Sequence, residues 1–402
     1  MAVAATKFKG FSRATLISVA QSLALLAGLA CLPALGSVLP EERTDLMYHS
    51  YQGGGMDITG PSLLVRKNFL EKLSVSANYY VDNVSSASVD VQFISGASRY
   101  SEQRKEQSIG VDYLNNKTTM SMGYTTSKES DYDATTAFFG VSQDFFGDLT
   151  SISLGYSQGN DEVSQNNYTG HVITSTTHKG DVNRQNYRLN LSQILTKNFV
   201  MNLGFETISD EGFLNNPYRQ VRYLNDDGIN FTLQNEKYPE TRTSDTVALR
   251  GIYYLPWRAS IRGEYRYFTD TWGIEATSVE VRYVHPWDDN WLFEFKVRQY
   301  DQTKADFYSD LFPRESAFNF LARDKEMSTY TSRSIGIGAS YSFTGFSLGP
   351  FEQFKLNLYV DHFEFDYDDF RDVPGGKGLN AGTEPLYAFS ADVARLFLTV
   401  TY

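Results

Sequence analysis

Cysteine is almost missing: the 402-residue chain has one, Cys31. If the segment carrying it is removed, neither a disulfide framework nor thiol chemistry remains open to the working protein. Histidine is scarce as well, at His49, His171, His178, His285 and His362, which leaves few imidazole bases or ligands. Beyond residue 36 no run of 18 apolar residues occurs, so a helical membrane span is excluded. Basic charge is outweighed, with 36 Lys and Arg against 48 Asp and Glu and a formal net charge of -12. A polyphosphate partner needs a basic footprint, so a nucleic-acid partner is excluded.

What is present begins with an export signal over residues 1–36. Lys7, Lys9 and Arg13 form a positive start, "LISVAQSLALLAGLA" an apolar middle, and "ALG" at Ala34 to Gly36 small residues for cleavage before Ser37. Cys31 suggests lipid attachment, but Gly28 stands where such a site wants a larger apolar residue, and the reading here is plain cleavage. Removing three cations and no acid takes the charge from -12 to -15. Aromatic residues make up 15% of the chain, with 27 Tyr and 28 Phe, a bias that favours pleated surfaces.

The rest of the chain repeats one pattern. In "WLFEFKVRQY" the odd positions are Trp291, Phe293, Phe295 and Val297 and the even ones Glu294, Lys296 and Arg298. Successive side chains of a strand point to opposite faces, so one face is aromatic and the other charged. "LSVSANYYV" from Leu73, "TTMSMGYTT" around Met120, "NYRLNLSQ" around Leu189, "ASIRGEYRYF" from Ala259, "VEVRYV" from Val279 and "SRSIGIGASYSF" from Ser332 alternate likewise. No comparable helical stripe competes.

Connections alternate too. Short ones hold turn formers near Glu71, at Asn115 to Lys117, Phe146 to Asp148, Thr196 to Asn198, Pro256 to Arg258, Asp288 to Asn290 and Gly345 to Gly349. Long polar ones are expected at about 83–105, 159–183, 209–242, 304–331 and 368–383, with shorter versions near 127 and 271. Fifteen strands follow from Ser62 onward, and "LMYHSY" (Leu46 to Tyr51) would carry the chain up first. The pattern predicts a single all-β domain over residues 37–402: a transmembrane antiparallel meander β-barrel of about 16 strands (range 14 to 18), with short periplasmic turns and long outer loops.

A secreted β-sandwich also alternates, but its apolar faces pack on each other and disfavour so many exposed Tyr and Phe. A closed barrel turns them to lipid and leaves no open edge, the condition for backbone in hydrocarbon. "ARLFLTVTY" closes the chain with Leu396, Leu398, Val400 and Tyr402 on one face, like the final strand that the outer-membrane assembly machinery reads. Trp257, Trp287, Trp291 and Tyr402 lie near turns or the end, as an interfacial girdle would.

"LPEERTD", "YHSYQGGGMDITGPSLLVRKNF", "LSVSANYYVDNVSSASVDV", "GVDYL", "KTTMSMGYTTS" and "SQDFFGDLTSISLGYSQG" resemble the bacterial domain of unknown function 3570 family, a group of outer-membrane proteins. The resemblance runs from about residue 38 to the C-terminus. It implies a bacterial outer-membrane location and a barrel, and it supplies no reaction.

The candidate site is the charged face. Arg262, Glu264, Arg266, Glu280, Arg282, Glu294, Lys296 and Arg298 fall on three consecutive strands, about 4.8 Å apart. They would line a water-filled lumen and order a small polar solute in a transverse field, or pair and hold the wall without conducting. "DHFEFDYDDFRD" (Asp361 to Asp372) offers Glu364, Asp366, Asp368 and Asp369, oxygen ligands that suit Ca²⁺ or Mg²⁺ and could bridge to lipopolysaccharide; its spacing matches no calcium loop and it reads first as a solvated outer loop. His171 and His178 in "HVITSTTH" lack a nearby acid and read as loop. "GGG" (Gly53 to Gly55) and "GGKG" (Gly375 to Gly378) read as outer turns, and "SSAS" (Ser85 to Ser88) could fold inward as a constriction. No cofactor, metal or catalytic group is expected. The reading is a channel or porin-like barrel in contact with membrane lipid, with a plugged anchoring barrel as the alternative and an outer-membrane enzyme third.

Overall fold

A computed structural model describes residues 38–85, 101–169, 172–343, 349 and 351–402. The signal segment with Cys31, the run 86–88 of "SSAS", His171 and residues 345–348 lie outside them.

Tight turns at one end and longer connections at the other follow from where the alternating segments stop. The strands are β1 (Arg43–Gly53), β2 (Met56–Phe69), β3 (Leu73–Ser85), β4 (Ser101–Asn115), β5 (Thr118–Lys128), β6 (Tyr132–Phe145), β7 (Thr150–Thr169), β8 (Val172–Thr196) and β9 (Phe199–Gly212). A short hairpin, β10 (Gln220–Leu224) and β11 (Phe231–Asn235), precedes β12 (Thr241–Tyr254), β13 (Ser260–Asp270), β14 (Glu275–Trp287) and β15 (Trp291–Gln302). The 3-10 turn Lys325–Met327 then leads to β16 (Tyr330–Phe343), β17 (Gln353–Arg371) and β18 (Leu386–Thr401). Sixteen of these strands pair antiparallel into a closed barrel, β18 returning to β1, while β10 and β11 form their own two-stranded sheet. Closure pairs Arg43 with Thr401 and Gly53 with Ala391. Among the described residues no helix is long and apolar enough to cross a membrane.

Turn chemistry fixes the register. At one end Leu70, Glu71, Asn116, Phe146, Asp148, Arg258 and Asp288 take positive φ, the geometry that matches the twist of a tight hairpin. At the other end the β1–β2 hairpin turns at Gly54 (φ 57°) and Gly55 (φ 83°), where a side chain would be strained.

The outer face is apolar. Leu46, Leu63, Ile109, Met122, Leu154, Leu249, Phe293, Phe295, Ile337 and Leu358 are all exposed, and in water this much greasy surface would be unstable. Trp257, Trp287 and Trp291 are exposed at the tight-turn end, with Trp287 opposite Trp291 in the register. Tyr402 joins them: its hydroxyl donates to Arg66 O at 3.1 Å, and Lys67 Nζ stands 4.5 Å from its ring. The fourth tryptophan, Trp272, is buried at the other end.

Two expected loops are strand. The stretch 159–183 extends β7 and β8 into a long hairpin pairing Asn160 with Asn183 and Asn166 with Thr176. Both of its faces are polar, so alternation vanishes from the sequence although pairing continues. "DHFEFDYDDFRD" is likewise the upper part of β17 up to Arg371, not a loop. There Asp361 is buried and Glu364, Asp366 and Asp368 are exposed. Among the described residues the remaining long connections stand at 213–240, 303–329 and 372–385; most of the connection expected at 83–105 falls on 86–100, outside the described residues.

Candidate functional site

All eight charged residues singled out in the sequence point away from the apolar face, into the barrel. Their exposed neighbours Ile261, Tyr265, Val279, Val281, Phe293, Phe295 and Val297 occupy the alternate positions. Arg262 opposes Arg282 and Glu264 opposes Glu280 between β13 and β14, so like charges face each other there and the ion pairs form within β14 and with the neighbouring strands. Arg282 reaches Glu280 at 2.8 Å and Glu294 at 3.2 Å. Glu264 takes Arg250 at 2.5 Å, and Arg266 lies 3.8 Å from Glu206. Arg298 stands opposite Glu280, its guanidinium 5.7 Å from the Tyr300 ring.

The ladder is wider than three strands. Glu206 on β9 also binds Arg188 on β8 at 2.7 Å, and Arg184 binds Asp210 at 2.6 Å. Asp361 on β17 joins Lys296 at 2.5 Å and Arg395 on β18 at 2.8 Å. Lys296 and Asp361 meet across β16 because Gly336 stands between them in the register; a Cβ there would fall 2.0 Å from Asp361 Oδ1. On the far side of the seam His49 on β1 reaches Asp82 on β3 at 2.8 Å, with Gly60 opposite His49 on β2. Tyr80 stacks on the imidazole at 4.9 Å. Sequence reasoning missed these partners; inward glycines on the intervening strands were the available signal.

The mouth is covered by loops. In the 213–240 connection, Arg222 Nη1 donates to Glu384 at 2.5 Å and Nη2 contacts Asp310, while Arg323 binds Asp310 at 2.9 Å. Arg219 binds Asp324 at 2.7 Å. Main-chain bonds tie Leu224 N to Phe312 O at 2.9 Å, Lys237 N to Leu321 O at 2.9 Å and Ala381 N to Ile229 O at 2.9 Å. The same connection reaches the opposite rim, where Tyr218 donates to Asp131 at 2.8 Å and accepts from Asn166 N at 2.6 Å. Around the closed sheet the β5–β6 corner and the β17–β18 loop are separated by ten strands one way and six the other, so the 213–240 segment bridges the opening.

Its seat is apolar. Tyr51, Met56, Ile58, Val84, Ala391 and Val393 pack with Phe363, Phe365 and Phe389, and Tyr367, Phe370 and Tyr387 continue the cluster. Lys325 lies 5.3 Å from the Phe389 ring and Arg323 4.6 Å from Phe370. A second cluster of Tyr238, Trp272, Ile274, Ala305, Tyr308 and Ala322 joins three connections, 213–240, 271–274 and 303–329.

Charge states in the cap follow from burial and pairing. Burial works against the Arg222 guanidinium, but the Glu384 and Asp310 carboxylates outweigh it and raise its pKa; burial likewise opposes the Glu384 carboxylate, which Arg222 nevertheless holds below the usual range. Glu236 behaves oppositely. Burial, with Asp324 nearby, pushes it up to about 7 against the pull of Arg219 and the Tyr238 hydroxyl. At the β5–β6 corner the carboxylates of Glu102, Glu129 and Asp131 lie within 4.8 Å of one another, with Arg104 Nε 4.0 Å from Glu129. His178 contacts Glu162 at 3.3 Å and Asp181 at 3.6 Å on the exposed hairpin. Of the gathered acids in β17, Asp369 accepts from Thr329 N at 2.9 Å.

Among solved structures the chain is similar to a bacterial polysaccharide outer membrane secretin (8% identity, TM-score 0.48, 90% of this chain and 100% of that one). It is similar also to OmpT, an in-vitro folded outer membrane protein of Vibrio cholerae in its trimer form (10% identity, TM-score 0.41, 89% and 98%), and to the siderophore receptor PirA from Acinetobacter baumannii (9% identity, TM-score 0.41, 88% and 57%). No curated protein matches the chain. The family model for a protein of unknown function, DUF3570, matches residues 95–375, more than half of the sequence. The chain belongs to the DUF3570 family.

Proposed function

We propose that this is an outer-membrane barrel that passes or binds small polar solutes in a charged aqueous lumen, with its outer mouth restricted by the loop cap. The observation that carries it is exposure on the inner wall. Arg188, Glu264 and Arg266 turn away from the apolar face, yet their side chains keep 46%, 34% and 30% of their accessible surface. A packed bore would bury them, and barrels of roughly 16 strands are wide enough to hold water. A transverse field of mixed sign then selects what diffuses through. The action is diffusion and binding, without covalent chemistry. The interlocked cap favours a second reading, a closed barrel that anchors envelope partners.

Planar-bilayer recording separates the two. The channel reading expects ion-selective steps from the full chain, enlarged when the cap is cut; a folded barrel that stays silent with the cap intact and with it opened supports the anchor.

A further inference from the structure

One side chain on the inner wall is out of keeping with its surroundings. Phe138 on β6 belongs to the polar face, with Thr136 and Gly140 on its own strand and Gly123 opposite it on β5, and it is 37% exposed. Its ring lies flat because the neighbours have no side chains. A Cβ built on Gly140 would stand 2.8 Å from Phe138 Cζ, and one on Gly155 3.3 Å from Cε2. Glycine weakens a strand and marks a close approach; here it leaves one aromatic face against the wall and the other open to the lumen.

At the edge of that face the charged ladder begins. The Cβ position of Gly155 is also 3.7 Å from Arg188 Cβ, since Gly155 pairs with Arg188 in the register. Arg188 Nε holds Glu206 at 2.7 Å, and Asn186 Nδ2 shares the same carboxylate at 2.8 Å. The site therefore joins a bare aromatic face to a fork of donors and a carboxylate acceptor.

We propose that this site binds a saccharide, the C–H face of a sugar ring resting on Phe138 and its hydroxyls bonding to Arg188 and Glu206. The inference rests on the reading of the lumen as an aqueous path. The negative face of an aromatic ring attracts the weakly positive C–H edge of a pyranose, and vicinal hydroxyls match the spacing of a guanidinium fork. A cationic solute is disfavoured by Arg188 beside the ring. An apolar solute would displace water from the Arg188 and Glu206 pair and return no hydrogen bond to it.

The test uses maltotriose as probe on the full barrel in a detergent without a sugar headgroup. Calorimetric titration should show binding, weakened roughly tenfold in Phe138→Ala and kept in Phe138→Trp. Gly140→Ala, which tilts the ring without removing it, should weaken it too. In bilayers, maltotriose added from the tight-turn side should interrupt the ion current of the wild type and not that of Phe138→Ala. Ion conduction with no maltotriose binding, or binding unchanged in Phe138→Ala, overturns the sugar site alone. Binding lost in Phe138→Ala from a barrel that never conducts leaves the site standing and overturns the passage.

Discussion

Arg222, on the connection between β9 and β12, lies 2.5 Å from Glu384 on the connection between β17 and β18, and with its contact to Asp310 it is the tie that closes the mouth. All three belong to different loops, so the tie exists only when the loops are docked.

Removing the cation from this cluster leaves two carboxylates facing each other without it, an arrangement that costs about 3–5 kcal/mol when a buried pair is broken. Arg222→Ala is expected to release the cap, seen as faster protease cutting within 213–240 and larger single-channel steps. Arg222→Met combined with Glu384→Leu removes the carboxylate orphaned there, while Asp310 keeps its bond to Arg323, and should restore much of the protection.

The cap should also respond to pH through Glu236. Its carboxyl is pushed up to about 7 from an ordinary 4.5, so the unfolded loop releases a proton that the docked loop holds. An acid raised in the folded state stabilises fully below its unfolded pKa, and that contribution is lost as pH rises through the folded one. Hydrogen exchange in 213–240 should therefore accelerate between pH 5 and pH 8 after correction for intrinsic rates. Asp324, Arg219, Tyr238 and Arg323 surround the group; Glu236→Gln should flatten the profile, and a slope unchanged by it assigns the effect elsewhere.

The alternating segment Trp291 to Arg298 was legible in the sequence because its two faces meet opposite solvents. Where that contrast fades, so does the signal. Beyond Tyr156 and Tyr187 both faces of the β7–β8 hairpin are polar, and the pairing leaves no trace in the sequence. In β17 the contrast is inverted: Phe363, Phe365 and Tyr367 turn inward against the cap while Glu364, Asp366 and Asp368 turn out. Read as a charge run, that strand resembles a loop. The charged face of β13 to β15 could be seen directly, but Asp361 as the shared partner of Lys296 and Arg395 depends on register across Gly336, which no local pattern gives. The three-loop cap needed distant segments to be placed together, and only the inward aromatic residues of β17 hinted at it.

Selectivity should follow the ladder. Replacing Arg262, Arg266 and Arg298 with serine removes three inward cations, and the reversal potential under a salt gradient should move toward cation preference by a severalfold change in permeability ratio. An unmoved reversal potential would place the conducting path away from these strands.

On the outer face the same chemistry reverses. Phe295 is 47% exposed on the apolar belt, and an arginine near a bilayer midplane costs about 2–4 kcal/mol. Phe295→Arg should lower stability by that order in urea unfolding from lipid vesicles, whereas Arg298→Lys, on the neighbouring inward face, should change it little.

Labelling of single cysteines along Trp291 to Arg298, in a Cys31→Ser background and in lipid vesicles, asks most directly which solvent meets each face. Cysteines at 294, 296 and 298 should react with a charged, membrane-impermeant thiol reagent, and those at 293, 295 and 297 only with a lipid-soluble one. Equal reaction at odd and even positions, or the opposite alternation, would contradict a barrel with water inside and hydrocarbon outside.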